Sequence, residues 1–154
     1  MRLRIPPRIK ILEALSAIGD GRIQILDEKR ARVVSSDGTR EYNVYADLER
    51  MLVYSDDNGT RFRNYIGYPI IAFLMLKGAL PLDKRLAEAL RGIPWRELNE
   101  KFRSYAIVES IVKRIVRERG VDPRELDRFV DEVMHKLKRI ELTYLRNPSA
   151  TGDK

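Results

Sequence analysis

Apolar residues recur along this chain with two different periods, and the change of period marks out its parts. Ile11, Leu12, Leu15 and Ile18 form a 3.6-residue stripe that predicts a helix over 7–18. Pro6-Pro7 pins its entry, because proline at the first helical position loses no hydrogen bond and already has helical φ. Gly19-Asp20-Gly21 ends it. Alternation then takes over: Ile23 and Ile25, a turn over 27–30, Val33-Val34, then Tyr42, Val44 and Tyr45 beyond Asp37-Gly38. Asp-Gly between such runs predicts a two-residue hairpin, because that turn wants positive φ. Met51 to Tyr54 reads as another strand, with Asn58-Gly59 turning into a last one over 60–63. The expectation is an antiparallel meander over 22–64.

From Tyr68 onward the pattern is helical. The run Ile70 to Leu76 is apolar nearly all round, which predicts a buried helix opened by Pro69 and closed by Lys77-Gly78. A short helix follows over 82–91, with Gly92 as its stop. Pro94-Trp95 opens a helix expected to reach Arg119, along which Ile107, Ile111 and Ile115 repeat beside Val108, Val112 and Val116. Asp122-Pro123 supplies an N-cap and an N1 proline for the last helix, whose stripe is Leu126, Phe129, Val133, Leu137 and Ile140. The predicted class is α+β, predominantly helical: one domain over 1–146 with the meander inserted (helix 7–18, meander 22–64, helical part 68–146), and a flexible tail over 147–154.

Composition narrows the chemistry. The 154 residues, 44% hydrophobic, suffice for one core, and zero cysteines exclude disulfides and thiolate metal sites. One histidine, His135, sits among Lys136, Lys138 and Arg139, where a solvated surface role is expected. The 34% charged fraction resembles that of thermophile proteins. Met1-Arg2-Leu3-Arg4 does not read as a secretory signal, and the longest apolar run is far short of the ~20 residues of a membrane span. A cytoplasmic protein is the expectation.

The net charge of +7 is unevenly spread. Residues 1–40 carry nine basic and five acidic side chains, residues 41–60 one against five, residues 61–106 nine against four, and the remainder eleven against nine. Two basic segments flank an acidic insert, which suits a phosphate-bearing partner. No glycine-rich phosphate loop or dinucleotide fingerprint is present. Asp56-Asp57-Asn58-Gly59 lacks the closing glutamate of a calcium loop and reads as a hairpin turn. No activated nucleophile is visible, so the chain is expected to be non-catalytic. The candidate site is a knot of phosphate-type and stacking-type side chains, Arg61, Arg63, Asn64, Tyr65 and Tyr68, followed by Lys77 and joined by Trp95. Arginine offers phosphate a planar fork and an aromatic ring offers a base a stacking face. Spacing alone leaves a basic edge strand with core tyrosines, and a buried helix-start tryptophan, as open alternatives.

Pro6-Pro7-Arg8-Ile9-Lys10 through Leu15 resembles the opening of the C-terminal domain of the primase large subunit. Phe73-Leu74-Met75-Leu76-Lys77-Gly78 is similar to that domain's Phe-Leu helix, Leu82 to Leu90 to the helix after it, and Tyr105 to Glu109 to its Tyr-x-x-Val-Glu segment. In order and spacing these segments cover about half the chain. In that domain the residue after the two prolines is a cysteine that holds an iron–sulfur cluster; here Arg8 stands there. The cysteine-free form resembles PriX, the family of non-catalytic third subunits of archaeal primases.

The resemblance implies an accessory subunit for RNA primer synthesis in DNA replication, with no iron–sulfur cluster. It would hold the initiating nucleoside triphosphate, with or without Mg or Mn, or the primer's 5′ end. Its implied partners are the catalytic small subunit, the large subunit, and single-stranded template DNA or RNA primer. Lys77 corresponds to the family's lysine after Phe-Leu. The family's arginine ahead of that helix falls at Gly67 or Pro69, so Arg61 or Arg63 must substitute; Asn64 or Tyr65 is nearest to its histidine. Two other classes fit the same composition: a small basic nucleic-acid binder, and a helical adaptor that docks a partner.

Overall fold

The computed structural model describes residues 1–148. Its described elements are seven helices and five strands in an α+β arrangement. Helix α1, Ile9–Gly19, follows the proline pair, and Gly21 leaves it at φ 71°. Strands β1 (Ile23–Ile25), β2 (Arg30–Val34), β3 (Glu41–Asp47) and β4 (Leu52–Ser55) form an antiparallel meander in that order. Ala31, Val33, Val44, Ala46 and Val53 are buried along its inner face. Against them lies α3, Tyr68–Leu76, covered on its other side by α1. Every residue from Pro69 to Met75 is buried, as expected of a helix with no polar face. Helix α4, Lys84–Ala89, packs on α1.

Four expectations need correction. Asn58-Gly59 makes no hairpin, and the stretch after it is no strand: residues Asn58–Phe62 form a short helix, α2. Asp57 caps it, its carboxylate accepting the Thr60 N–H. Gly59 serves close packing here, since a Cβ would lie 2.3 Å from Cε1 of the Tyr65 ring. The β2–β3 connection spans 35–40, not two residues; the Asp37 carboxylate organises it by accepting bonds from the Ser35 and Thr39 hydroxyls and the Thr39 N–H.

The helix expected from Trp95 to Arg119 is two helices, α5 (Trp95–Phe102) and α6 (Tyr105–Glu118). Arg103 turns left-handed at φ 51° and Ser104 caps the second, its side chain accepting the Ile107 N–H. The buried stripe changes phase at that break, and Val108, Val112 and Val116 face inward while Ile107 is exposed. The last helix, α7 (Pro123–Arg139), starts at the expected cap and stops one residue before Ile140.

Strand β5, Thr143–Tyr144, had no counterpart in the sequence pattern; it pairs in parallel with β4. Residues 1–4 then stitch it to the body. The Leu3 N–H bonds to the Leu142 carbonyl, the Arg4 N–H to that of Asn64, and the Ile66 N–H to that of Arg4. Arg8 ties the start of α1 to the α6–α7 pair through Asp131 at 2.6 Å, Asp127 at 3.0 Å and Glu109 at 3.4 Å. Lys113 joins two of these carboxylates, Glu109 and Asp127. His135 is exposed. No described helix is long and apolar enough to cross a membrane. Of the tail expected over 147–154, residues from 149 on lie outside the described residues.

Candidate functional site

A cleft of about 670 Å³ opens where α1, the β2–β3 connection, α2, the start of α3 and α5 converge. Tyr68, the first residue of the buried α3, lines it together with Tyr42 of β3. These two rings meet edge to face, with centroids 6.2 Å apart. Trp95, the first residue of α5, is 2% exposed and lines the same space. Among the described residues its indole Nε1 finds no acceptor, and the side-chain oxygen of Asn99, one turn on, finds no donor.

The outer wall is held by Arg96, which pairs with Asp37 at 3.0 Å and Glu100 at 3.2 Å and bonds the Thr39 hydroxyl at 3.0 Å. That fixes α5 against the β2–β3 connection. The inner wall carries a part-buried ion pair, Lys10 Nζ to Glu13 Oε2 at 2.8 Å. Arg22 is anchored by Asp20 at 2.9 Å and the Val34 carbonyl at 2.6 Å.

Six cationic side chains line the cleft (Lys10, Arg22, Arg40, Arg63, Arg96 and Arg103) against three carboxylates (Glu13, Asp57 and Glu100). Arg63 and Arg103 are exposed on the rim and join no ion pair among the described residues. Burial pulls the Lys10 ammonium down, but Glu13 more than compensates and holds it charged. Burial pushes the Tyr68 and Tyr42 hydroxyls up, so both stay neutral at physiological pH. The cleft is therefore an anion-attracting space with an aromatic floor. It contains no paired nucleophile and base.

Of the sequence candidates, the structure brings Arg63, Tyr68 and Trp95 together here. Arg61 and Asn64 line a second cleft, beyond α2. Tyr65 lines neither; it is 7% exposed beneath Gly59, and burial pushes its hydroxyl up to about 12. Lys77 is also apart. It caps the far end of α3, about 13 Å along the axis from Tyr68, with its ammonium on the Glu28 carbonyl and over the Phe73 ring.

The sequence reading missed Lys10, Arg22, Arg40, Tyr42, Arg96 and Arg103. One signal was available: Lys10 and Glu13 are the two charged residues of α1 and stand three positions apart in a largely apolar helix, which marks a charged pair drawn into a buried face.

Asp57, Thr60 and Gly67 hold the short α2 against the start of α3. The Thr60 hydroxyl donates to Asp57 Oδ1 at 2.8 Å and accepts the Gly67 N–H at 3.1 Å. Asp57 Oδ2 accepts the Thr60 N–H at 3.1 Å. A Cβ on Gly67 would lie 2.2 Å from that same oxygen, so the close approach requires glycine. This relay sets where α2 presents Arg61, Phe62 and Arg63.

Residues 3–143 match the family described as Uncharacterised conserved protein UCP014422, and the chain belongs to that family. Among curated proteins and solved structures, none matches it.

Proposed function

We propose that this member of the family is a non-catalytic accessory subunit of a DNA primase. In this reading the first cleft holds an initiating nucleoside triphosphate, or the 5′-triphosphate end of a primer, while a separate small subunit forms the phosphodiester bond. The observation that carries the ligand is the pairing of uncommitted rim guanidiniums, Arg63 and Arg103, with the half-buried rings of Tyr42 and Tyr68, beneath which Trp95 is buried. Free guanidiniums suit phosphate oxygens, and rings suit a base. The primase assignment rests on the resemblance of the segments around Pro6-Pro7 and Phe73 to Gly78; helices α1 and α3, which overlap these segments, pack together.

Starting a primer requires two nucleotides to be held together before any chain exists. A docked module that supplies one of them makes the encounter effectively intramolecular. That task needs charge neutralisation, stacking and a tethering surface, and no acid–base group of its own.

Trp95 is the single tryptophan, so its emission reports on the cleft directly. Titration should show ATP binding more tightly than ADP and far more tightly than adenosine, with affinity falling as salt rises. Arg63→Ala and Arg103→Ala should each weaken ATP roughly fivefold to tenfold, the range of a screened charge-assisted contact. Lys77→Ala should leave it unchanged. Equal binding of adenosine and ATP would overturn the ligand assignment. Failure to co-purify with a primase small and large subunit pair would overturn the assembly.

A further inference from the structure

The second cleft, also about 670 Å³, is bounded by β4, α2 and the segment that carries β5. Its walls are unlike those of the first. Tyr54 of β4 and Tyr144 of β5 lie nearly parallel, with centroids 5.9 Å apart and planes inclined by 17°. Facing them on α2 is Phe62, the most exposed aromatic side chain among the described residues at 67%. The Arg61 guanidinium sits over that ring, 4.9 Å from its centroid. Arg146 lies on the other side of the cleft, after β5.

Two features separate this surface from ordinary solvated exposure. A phenylalanine left two-thirds in water forgoes the gain from removing its ring from water that a core position would bring, and here the relay through Thr60 and Asp57 holds it there. Arg61 and Arg146 join no ion pair among the described residues. The one carboxylate in the cleft, Asp56, accepts the N–H and side-chain amide of Asn43.

We infer that this cleft is a binding surface for single-stranded nucleic acid, with bases stacked against Phe62 and the Tyr54–Tyr144 pair and backbone phosphates on Arg61 and Arg146. The two cations stand on separate elements, so they suit successive phosphates of a backbone better than one triphosphate. Duplex nucleic acid is disfavoured, because paired and stacked bases have no free face to lay on Phe62. Both clefts border α2. Asn58, Gly59 and Arg63 line the first, and Arg61 and Phe62 line the second. A strand lying on Phe62 would therefore run close to whatever the first cleft holds. The inference does not depend on the nucleoside triphosphate reading of that cleft.

The test is fluorescence anisotropy with labelled 12-nucleotide oligo-dT and oligo-rU ending in a 5′-hydroxyl, which removes the triphosphate from consideration. Oligomers of this length fall within the ~4–16 nucleotides typical of such surfaces. The full chain should bind at least one of them in low salt and bind a matched duplex more weakly; the two single strands report whether the sugar matters. Phe62→Ala and Arg61→Ala should each weaken binding roughly fivefold or more, from lost stacking and a lost phosphate contact. Both positions are exposed, so circular dichroism melts should stay at the wild-type value. Phe62→Ala should leave ATP titration of Trp95 unchanged, and Arg63→Ala should affect ATP more than the oligomer. Unchanged oligomer binding in both α2 variants, no binding of either single strand, or duplex binding as tight as single-strand binding would overturn the inference.

Discussion

Replacing Thr60 with valine keeps the shape of a fully buried side chain and removes only its hydroxyl. Two buried groups then lose a partner: the Gly67 N–H, which that oxygen accepts at 3.1 Å, and Asp57 Oδ1, which it serves at 2.8 Å. Each buried polar group left unsatisfied costs about 1–3 kcal/mol, so the variant should lose roughly 2–6 kcal/mol. For a chain of this length that corresponds to a fall in Tm of about 4–24 °C. Urea denaturation followed by Trp95 emission and by far-ultraviolet dichroism should show the midpoint lowered and the slope unchanged. Thr60→Ser restores the hydroxyl and deletes one methyl group, for a loss of about 1 kcal/mol. Because the relay positions α2, Thr60→Val should also weaken ligand binding in both clefts together. A Thr60→Val protein within 0.5 kcal/mol of wild type, on the ~±0.5 kcal/mol scale of neutral surface changes, would refute the reasoning, as would serine proving as harmful as valine.

Arg8→Leu leaves Glu109 and Asp127 with Lys113 alone, and Asp131 with no ion-pair partner among the described residues. Since Arg8 is about one-third exposed, the loss should be a screened ~1–2 kcal/mol; denaturation at low and high salt should show it shrinking as ions damp the carboxylate repulsion. Tyr65, pushed by burial up to about 12, and Tyr68, pushed higher still, both ionise later in the fold than in the unfolded chain. Their contribution to stability is therefore complete below pH ~10 and drains away as pH rises through the folded values. Absorbance titration at 295 nm should resolve a late-ionising class among the seven tyrosines, reduced in Tyr65→Phe; simultaneous ionisation of all seven near the free value would contradict this.

What could be read without coordinates was what local pattern controls. The buried α3 follows from an apolar run with no polar face, and the start of α7 from Asp122-Pro123. Asn58-Gly59 misled because two very different structures favour that dipeptide. A left-handed turn wants its backbone freedom, while here the neighbouring Tyr65 ring wants the missing Cβ. Strand β5 was invisible because two residues carry no periodicity and their partner lies some ninety positions away.

The site divides along the same line. Arg63 and Tyr68 are near in sequence and fall in one cleft; Trp95 joins them because the start of α5 is carried there by tertiary packing. Lys77 is also near in sequence to Tyr68, but nine helical residues convert that nearness into distance. Lys10, Arg22 and Arg103 come from three separated elements, which no local density of charge could have united.

The seam at the β4 edge has a consequence for how the molecule behaves in company. Residues 1–4, 64–66 and 142–144 close that margin of the sheet as scraps from three remote parts of the chain. No scrap is long enough to template a neighbour, and the opposite margin, β1, is only three residues long. Damage that unpicked the seam would bare the row of unpaired amides along β4, turning a self-contained particle into a nucleus for edge-to-edge clumping.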